Sequence, residues 1–379
     1  MRLVVDENLP GLDHLLSKEK VQVTRLAGQA INADALQQAD ALWVRSVTRV
    51  DEALLQNTPV GFVGTATIGV DHIDQPWLQS QGIEFASAPG CNAESVVDYV
   101  LAVLFYQAQQ QGFRLWDQVV GIVGVGQVGH RLAQRLQAWG CQVLLNDPPR
   151  EDAGATGLVS LQTLLAQADI LCLHTPLTHD GPHPTHHLIN HNCLEAFRGR
   201  LIINAGRGAV IDSAVIQDWC LQRPECAWVL DVFESEPALD PALISRLALA
   251  TPHIAGYSLE GKLRGSDMIY QAWCRWQGRV PSAHWSECLP ASTLQSVSVG
   301  LGMDAQDLAQ RLISLVYPVW EDAWRLRQAL QNQPPAQAYT QLRKHYPQRR
   351  EFSSLKVSLM DHKLAQALQA IGFKVLITP

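Results

Sequence analysis

Three side chains able to share one reaction stand apart in this chain, each just beyond a short apolar run: Arg207 in NAGRG, Glu236 in ESEP and His253 in TPHIAG. A guanidinium is a permanently charged planar fork matched to a carboxylate. An imidazole beside a carboxylate is an acid/base poised near neutral pH. Upstream of all three, the turn Gly124-Val125-Gly126-Gln127-Val128-Gly129 follows the apolar run VVGIV and opens the helical pattern QVGHRLAQRLQAWG. Its first glycine makes a tight turn, the second lets backbone amides approach a pyrophosphate, and the third permits close helix packing. A dinucleotide cradle followed by an anion anchor, a carboxylate and an imidazole implies coupled movement of a hydride and a proton, the chemistry of a dehydrogenase.

Each signal has a bland alternative. A lone GxGxxG is weak, but here a strand precedes it, a helix follows it, and Asp147 ends the next strand 18 residues after Gly129. Asp147 is placed to accept hydrogen bonds from ribose hydroxyls and to repel a 2′-phosphate, which favours NAD over NADP; Arg150, three residues on, pulls the other way. Arg207 alone reads as a surface ion pair, yet Gly206 and Gly208 on either side let the backbone turn sharply so that the guanidinium projects. Glu236 alone is a solvated loop carboxylate, and His253 alone a structural histidine. Their pairing makes them an acid/base. Thr175, directly after the run DILCLH, is expected to line the cofactor cleft. His174, His179, His183, His186, His187 and His191 invite a metal site, but their spacing lacks a ligand pattern and the intervening Thr, Asp, Gly and Pro read as an exposed loop, so no metal is expected.

The elements that must position these groups follow from patterning. With 379 residues, 47% of them hydrophobic, the chain is long enough for two or three domains, each with its own core. A net charge of -7 gives no general attraction to nucleic acid or acidic lipid, so small-molecule partners are expected. The eight cysteines form no CxxC pair, which points to a reducing, cytoplasmic setting. No uninterrupted 18-residue apolar run occurs, and the opening MRLVVDENLP reaches Asp6 after three apolar residues, so neither export nor membrane insertion is expected.

Residues 1–92 alternate strand candidates (RLVV, VQVT, ALWVR, GFVGT, IEFAS) with helical stretches, the mark of a parallel α/β sheet. A helical pattern from Ala93 to Gln110 reads as a linker into a second domain. There, VVGIV, QVLLN, DILCLH, RLIIN, AWVLD and LALAT supply six strands of a doubly wound, Rossmann-type sheet, whose ligands collect at the carboxyl ends of the strands. A helix from about Leu259 to Trp276 is expected to return to the first layer. The predicted division is 1–92 with 257–285, then 93–256, then 286–379, the last an α+β module of strand, two helices, strand, helix and strand.

The ordered set GVGQVG, HTPL, NAGRG, DVFESEP and TPHIAG resembles the D-isomer-specific 2-hydroxyacid dehydrogenase family over roughly residues 1–280. Within it, VDENLP, VRSVTRV, VGTATIGVDHID, APGCNA and PHIAGYSLEGK look like a branch that carries an extra C-terminal domain and oxidises a small phosphorylated 2-hydroxy acid during pyridoxal phosphate biosynthesis. The resemblance implies a flavodoxin-like substrate domain beside the Rossmann-type NAD-binding domain, and a homodimer held by the C-terminal α+β domain. It implies Arg207, Glu236 and His253 as catalytic residues. NAD contacts would come from Gly124, Gly126, Gln127, Val128, Gly129, Asp147, Thr175, Ala205, Gly206, Arg207, Asp231 and Gly256, and substrate contacts from Ser46, Thr67 and Tyr257. For the phosphate, Arg45 at the end of ALWVR is the first cation to consider, with Lys262, Arg264, Arg349 and Arg350 behind it. Alternative readings are a sibling such as 3-phosphoglycerate dehydrogenase or a glyoxylate/hydroxypyruvate reductase, or an NAD-sensing interaction protein on the same fold.

Overall fold

Apolar runs of four or five residues separated by crossover segments build parallel sheets, because each crossover returns the chain to the same end of the sheet before the next strand. The computed structural model describes residues 1–300 and 302–378, and the chain folds as two compact units, 1–93 with 258–291 and 94–257 with 292–379. In the first unit, strands β1 (Arg2–Asp6), β2 (Gln22–Leu26), β3 (Ala41–Val44), β4 (Phe62–Thr65) and β5 (Glu84–Ser87) form one parallel sheet in the order β2-β1-β3-β4-β5. This is the flavodoxin-like order. Helix Leu259–Trp276 returns to that sheet, and its Trp273 meets the fully buried Trp43 of β3 edge to face with ring centroids 5.6 Å apart.

The second unit holds β6 (Val119–Val123), β7 (Gln142–Asn146), β8 (Ile170–Leu173), β9 (Leu201–Asn204), β10 (Ala227–Leu230) and β11 (Leu249–Ala250), all parallel, in the order β11-β10-β9-β8-β6-β7. The winding reverses between β6 and β8, so the connections leaving their carboxyl ends diverge and open a crevice. Helix Ala93–Gln111 is more than a linker. Its residues from Val97 to Phe105 are buried almost without interruption, as expected of a helix that is apolar around its whole circumference.

Residues Ser292 onward belong to this second unit and carry a three-stranded parallel sheet, β12 (Ser296–Ser298), β13 (Lys356–Leu359) and β14 (Lys374–Ile377). The stretch 305–330 reads in sequence as a single helix; the structure breaks it into Ala305–Val316 and Val319–Asn332. Pro318 explains the break, because it has no N–H for the helical ladder and its ring clashes with the preceding turn. Helices Pro335–Lys344 and His362–Ala370 follow.

Polar side chains stitch this segment to the rest of the unit. Gln306 donates to the Phe113 carbonyl and accepts from the Leu115 amide, at 2.9 and 2.8 Å. The buried Asp98 carboxylate accepts from the Phe352 amide and from Arg135, at 2.8 Å each. Burial pushes the Asp98 carboxyl up to about 7, with Arg135 opposing the shift. Phe352 is fully buried and stacks on Phe373 with centroids 5.2 Å apart. Phe352→Ala should therefore cost about 3–5 kcal/mol of unfolding free energy, read as a lowered denaturation midpoint; a loss near zero would show that the segment is not part of the cooperative core.

Candidate active site

Most of the predicted functional side chains lie at or just beyond the carboxyl end of a strand, whereas Lys262 and Arg264 lie within helix Leu259–Trp276. In the first unit, Arg45 and Ser46 follow β3, and Thr67 follows the neighbouring β4. Ser46 is exposed and Arg45 half-buried. The Thr67 hydroxyl donates to the Gly69 carbonyl and pairs with the Thr65 hydroxyl, both at 2.8 Å. Arg264 is already engaged, donating to the Cys91 carbonyl at 2.7 Å and lying over the Trp285 ring.

In the second unit, the turns after β9, β10 and β11 bring Arg207, Glu236 and His253 forward from three adjacent strands. Asn204 shapes the first turn. Its side-chain oxygen accepts from the Gly206 amide and its nitrogen donates to the Arg207 carbonyl, both at 3.0 Å. An Asn two places before Gly is an Asx-turn signal, so this turn is legible from the sequence alone. Arg207 donates to the Gly206 carbonyl at 3.0 Å and leaves the turn in extended conformation. Gly208 is required by close approach: a Cβ there would sit 2.0 Å from the carbonyl carbon of Phe233. The Arg207 turn and the loop bearing Glu236 are thus pressed backbone to backbone.

Glu236 is fully used. Its Oε1 accepts from the Phe233 amide at 2.8 Å, and its Oε2 accepts from His253 Nδ1 at 2.9 Å and from the Tyr339 hydroxyl at 2.6 Å. Burial pushes the Glu236 carboxyl up, but the bonds from His253, Tyr339 and Phe233 outweigh it and hold the group below the ordinary carboxylate range. A carboxylate can only accept, so Nδ1 of His253 must carry a proton, and Nε2 is left as the nitrogen that exchanges one.

His253 sits at a φ of 56°, a left-handed conformation that a non-glycine residue holds only when its surroundings impose it. The buried Asp231 imposes it. Its backbone carbonyl accepts from the His253 amide at 2.7 Å, its Oδ1 accepts from the Thr251 hydroxyl and the Ile254 amide at 2.6 and 2.8 Å, and its Oδ2 accepts from the Ala255 amide at 2.9 Å. Burial pushes the Asp231 carboxyl up, opposed by His253 and these donated bonds. The structure therefore places Asp231 as the anchor of the His253 loop, its carboxylate taken up within the protein. Tyr257, just past Gly256, accepts from Arg343 at 2.9 and 3.2 Å.

The glycine turn has the geometry a dinucleotide requires. Gly124 has a φ of 89°, and a Cβ on it would lie 2.8 Å from the His174 carbonyl carbon across the crevice. A Cβ on Gly129 would lie 2.0 Å from the Gly124 carbonyl oxygen, whereas one on Gly126 meets nothing within 4 Å. The second glycine thus faces open space where the outer two are tightly packed. Gln127, Val128 and Gly129 begin helix Gln127–Trp139, aiming its amides at that space. Asp147 accepts from the Val125 amide at 2.7 Å and caps helix Pro148–Asp152, while Arg150 reaches back to the Val125 carbonyl. Across the crevice, the Thr175 hydroxyl and both ring nitrogens of His174 are buried without a partner among the described residues. Burial pushes His174 down to about 4, so it is neutral at physiological pH. Ala205 and Gly206 continue the same wall, Gly206 packing against the Thr175 carbonyl. Unpaired buried polar atoms beside a cradle of exposed amides fit a dinucleotide that supplies the missing partners.

Two sequence expectations change. Arg349 does not reach toward a substrate: it is buried, donates to the Ser95 and Ala255 carbonyls, and lies 4.3 Å from the Tyr317 ring centroid. The histidine-rich stretch is not uniformly exposed, since both ring nitrogens of His174 are buried. Within it, His186, His187 and Glu234 bring their donor atoms within 4.8 Å of one another, with Glu234 bonded to His187 at 2.7 Å and to the Ser213 amide at 3.2 Å. Tyr339 and Arg343, which touch Glu236 and Tyr257, carried no local signal, being ordinary members of an amphipathic helix.

Comparisons with known proteins agree with this geometry. The D-isomer specific 2-hydroxyacid dehydrogenase, NAD binding domain family matches residues 98–255, and a domain of unknown function (DUF3410) matches residues 288–372. The cofactor is accordingly NAD. Erythronate-4-phosphate dehydrogenase of Pectobacterium atrosepticum is 46% identical, covering 98% of each chain, and that of Marinobacter nauticus is 46% identical, covering 100% of each. Among solved structures, D-lactate dehydrogenase from Aquifex aeolicus, complexed with NAD and lactic acid, matches with a TM-score of 0.58 and 25% identity, over 73% of this chain and 96% of that one. The glycine cradle, the Glu236–His253 pair and likeness to such relatives over nearly the whole length lead to one assignment: the chain belongs to the erythronate-4-phosphate dehydrogenase family of D-isomer-specific 2-hydroxyacid dehydrogenases.

Proposed function

We propose that this chain oxidises 4-phospho-D-erythronate at C2 to 2-oxo-3-hydroxy-4-phosphobutanoate, in the biosynthesis of pyridoxal phosphate. The observation that carries the reading is the 2.9 Å bond between His253 Nδ1 and the ionised Glu236, which leaves Nε2 as the working base, in a chain 46% identical to relatives of that name. NAD, when bound in the glycine cradle, supplies the hydride acceptor. Arg207 holds the C1 carboxylate and polarises the C2 oxygen, fixing the orientation of the C2–H bond; positioning of this kind lowers a barrier by several kcal/mol. His253 Nε2 takes the C2 hydroxyl proton. Glu236 keeps the ring in the required tautomer and balances the imidazolium as it forms. Ser46, Thr67 and Tyr257 contact the substrate, and Arg45 takes its phosphate. The NAD contacts are Gly124 to Gly129, Asp147, Thr175, Ala205 to Arg207, Asp231 and Gly256.

The chain further acts as a cytoplasmic homodimer joined through the C-terminal segment. In support, helix Val319–Asn332 presents Trp320 and Trp324 one turn apart at 46% and 57% exposure, an exposed aromatic pair that a second copy would cover. All eight cysteines are free, as a reducing compartment requires. No helix among the described residues is long and apolar enough to cross a membrane.

Steady-state NADH formation with 4-phosphoerythronate, 3-phosphoglycerate and glycerate, each with NAD and NADP, tests the assignment. The 4-phosphoerythronate/NAD pair should give the highest kcat/KM, and a clear preference for 3-phosphoglycerate would overturn it. His253→Ala should lower kcat by about 10²–10⁴-fold, and a variant retaining most of its turnover would remove His253 as base. Arg45→Glu should raise KM for the phosphorylated substrate far more than for glycerate; equal effects would take Arg45 out of the phosphate site. Trp320→Glu combined with Trp324→Glu should halve the mass seen in sedimentation, and an unchanged mass would place the dimer contact elsewhere.

A further inference from the structure

Glu236 has two side-chain partners, and only His253 belongs to the catalytic motifs. The other is Tyr339, on helix Pro335–Lys344, which donates to the same oxygen, Oε2, at 2.6 Å. Tyr339 is 4% exposed, so this bond has no competition from bulk water. A carboxylate only accepts, so the phenol must donate to Glu236, and its oxygen is then the acceptor of the N–H that Arg343 directs at it from 2.8 Å. One turn of helix separates the two residues, which stacks them on one face. The guanidinium of Arg343 also lies 5.1 Å from the Tyr339 ring centroid and 5.6 Å from that of Tyr257, and donates twice to the Tyr257 hydroxyl. The result is a continuous polar chain, Tyr257–Arg343–Tyr339–Glu236–His253.

We propose that Tyr339 and Arg343 are positioning residues of this active site, Tyr339 holding Glu236 ionised and aimed at His253, and Arg343 tying that tyrosine to Tyr257. The proposal rests on the reading of Glu236 and His253 as the acid/base pair, and it gives the C-terminal segment a part in the chemistry. Burial alone would favour a protonated Glu236, and a protonated carboxyl is a poorer partner for the Nδ1–H of His253. The Tyr339 hydroxyl and the Arg343 charge behind it oppose that tendency. Because its oxygen takes two N–H bonds from Arg343, the Tyr257 hydroxyl hydrogen is turned away from the guanidinium. Arg343 therefore fixes the orientation of a predicted substrate contact as well as the charge of the carboxylate.

The test uses the full-length chain, with Tyr339→Phe, Arg343→Met and, as a control on the same helix, Thr340→Ala, which removes an exposed hydroxyl bonded to the Ala336 carbonyl. Two readouts are taken. The first is the ¹³C titration of the Glu236 carboxyl without substrate, assigned by its disappearance in Glu236→Gln. The second is the pH dependence of kcat and KM for 4-phosphoerythronate oxidation. A carboxyl whose folded pKa is depressed stays ionised until the pH falls through that value, so losing a donor must move the transition to higher pH. Tyr339→Phe should raise the Glu236 titration and the acid limb of kcat together by about half a pH unit or more, with KM held within about twofold. Arg343→Met should shift both in the same direction and also raise KM, through Tyr257, by about tenfold. Titrations and acid limbs identical to those of Thr340→Ala in both variants would overturn the proposal. If the parent protein does not oxidise 4-phosphoerythronate but the Glu236 titration still responds to Tyr339→Phe, the substrate assignment fails while the positioning role stands.

Discussion

The buried carboxylate of Asp231 is the constraint on which the rest of the site depends. It stands at the carboxyl end of β10, and from there its backbone and side chain together bind the hydroxyl of Thr251 and the amides of His253, Ile254 and Ala255. Tyr99, from the long central helix, closes the same cluster through the Thr251 hydroxyl at 2.8 Å. Leaving even one such buried N–H unpaired costs about 1–3 kcal/mol, so the loop has few alternatives to the path seen. That path includes the left-handed conformation of His253, which turns the imidazole toward Glu236. An acid sealed within the protein thus sets the direction of the imidazole proposed as the base.

A second consequence is that the proposed catalytic pair is held from two sides. The loops of the doubly wound sheet supply Arg207, Glu236 and His253, as the carboxyl ends of parallel strands commonly do. The chain beyond residue 292 supplies the opposite hold, through Tyr339 on Glu236, Arg343 on Tyr257 and Arg349 on the Ala255 carbonyl. Arg327 adds bonds to the Leu247 and Ala248 carbonyls, beside the edge strand that leads to His253. A segment that carries none of the catalytic motifs therefore braces the loops that do. Buried polar chains of this kind strengthen when every member is paired and weaken sharply when one is missing.

Much of this molecule was legible in its amino-acid order. Each of the eleven strands of the two larger sheets overlaps one of the apolar runs, β1 and β2 extending beyond theirs to Asp6 and Leu26; most of these strands are buried, and a strand buried on both faces must be continuously apolar, with its ends marked by Gly, Pro, Asp or Asn. The glycine turn carried its own mechanism, since only glycine fits the positive φ at 124 and the contact at 129. Arg207, Glu236 and His253 stand out as candidates because a motif is local: each stands a few residues from a strand end, and the sheet rule places all such ends on one side. The break at Pro318 was present in the residues too, but helical periodicity on both sides of it masked the proline.

Only the tertiary structure decided which groups those residues meet. Tyr339 lies 103 positions from Glu236, and its hydrogen bond is made by packing a helix whose pattern announces only an apolar face. Arg349 looked like any exposed cation in QRRE, and its burial against Tyr317 depends on where Ser95 and Ala255 place their carbonyls. Asp231 is a cofactor contact only by the family resemblance; its role as the anchor of the His253 loop follows from a return of the chain 20 residues later. The physical reason is general: apolar periodicity and turn chemistry are short-range and written in neighbouring residues. The partners of a buried charge are long-range, and they are settled by which carbonyls and hydroxyls the finished packing leaves within 3 Å or so.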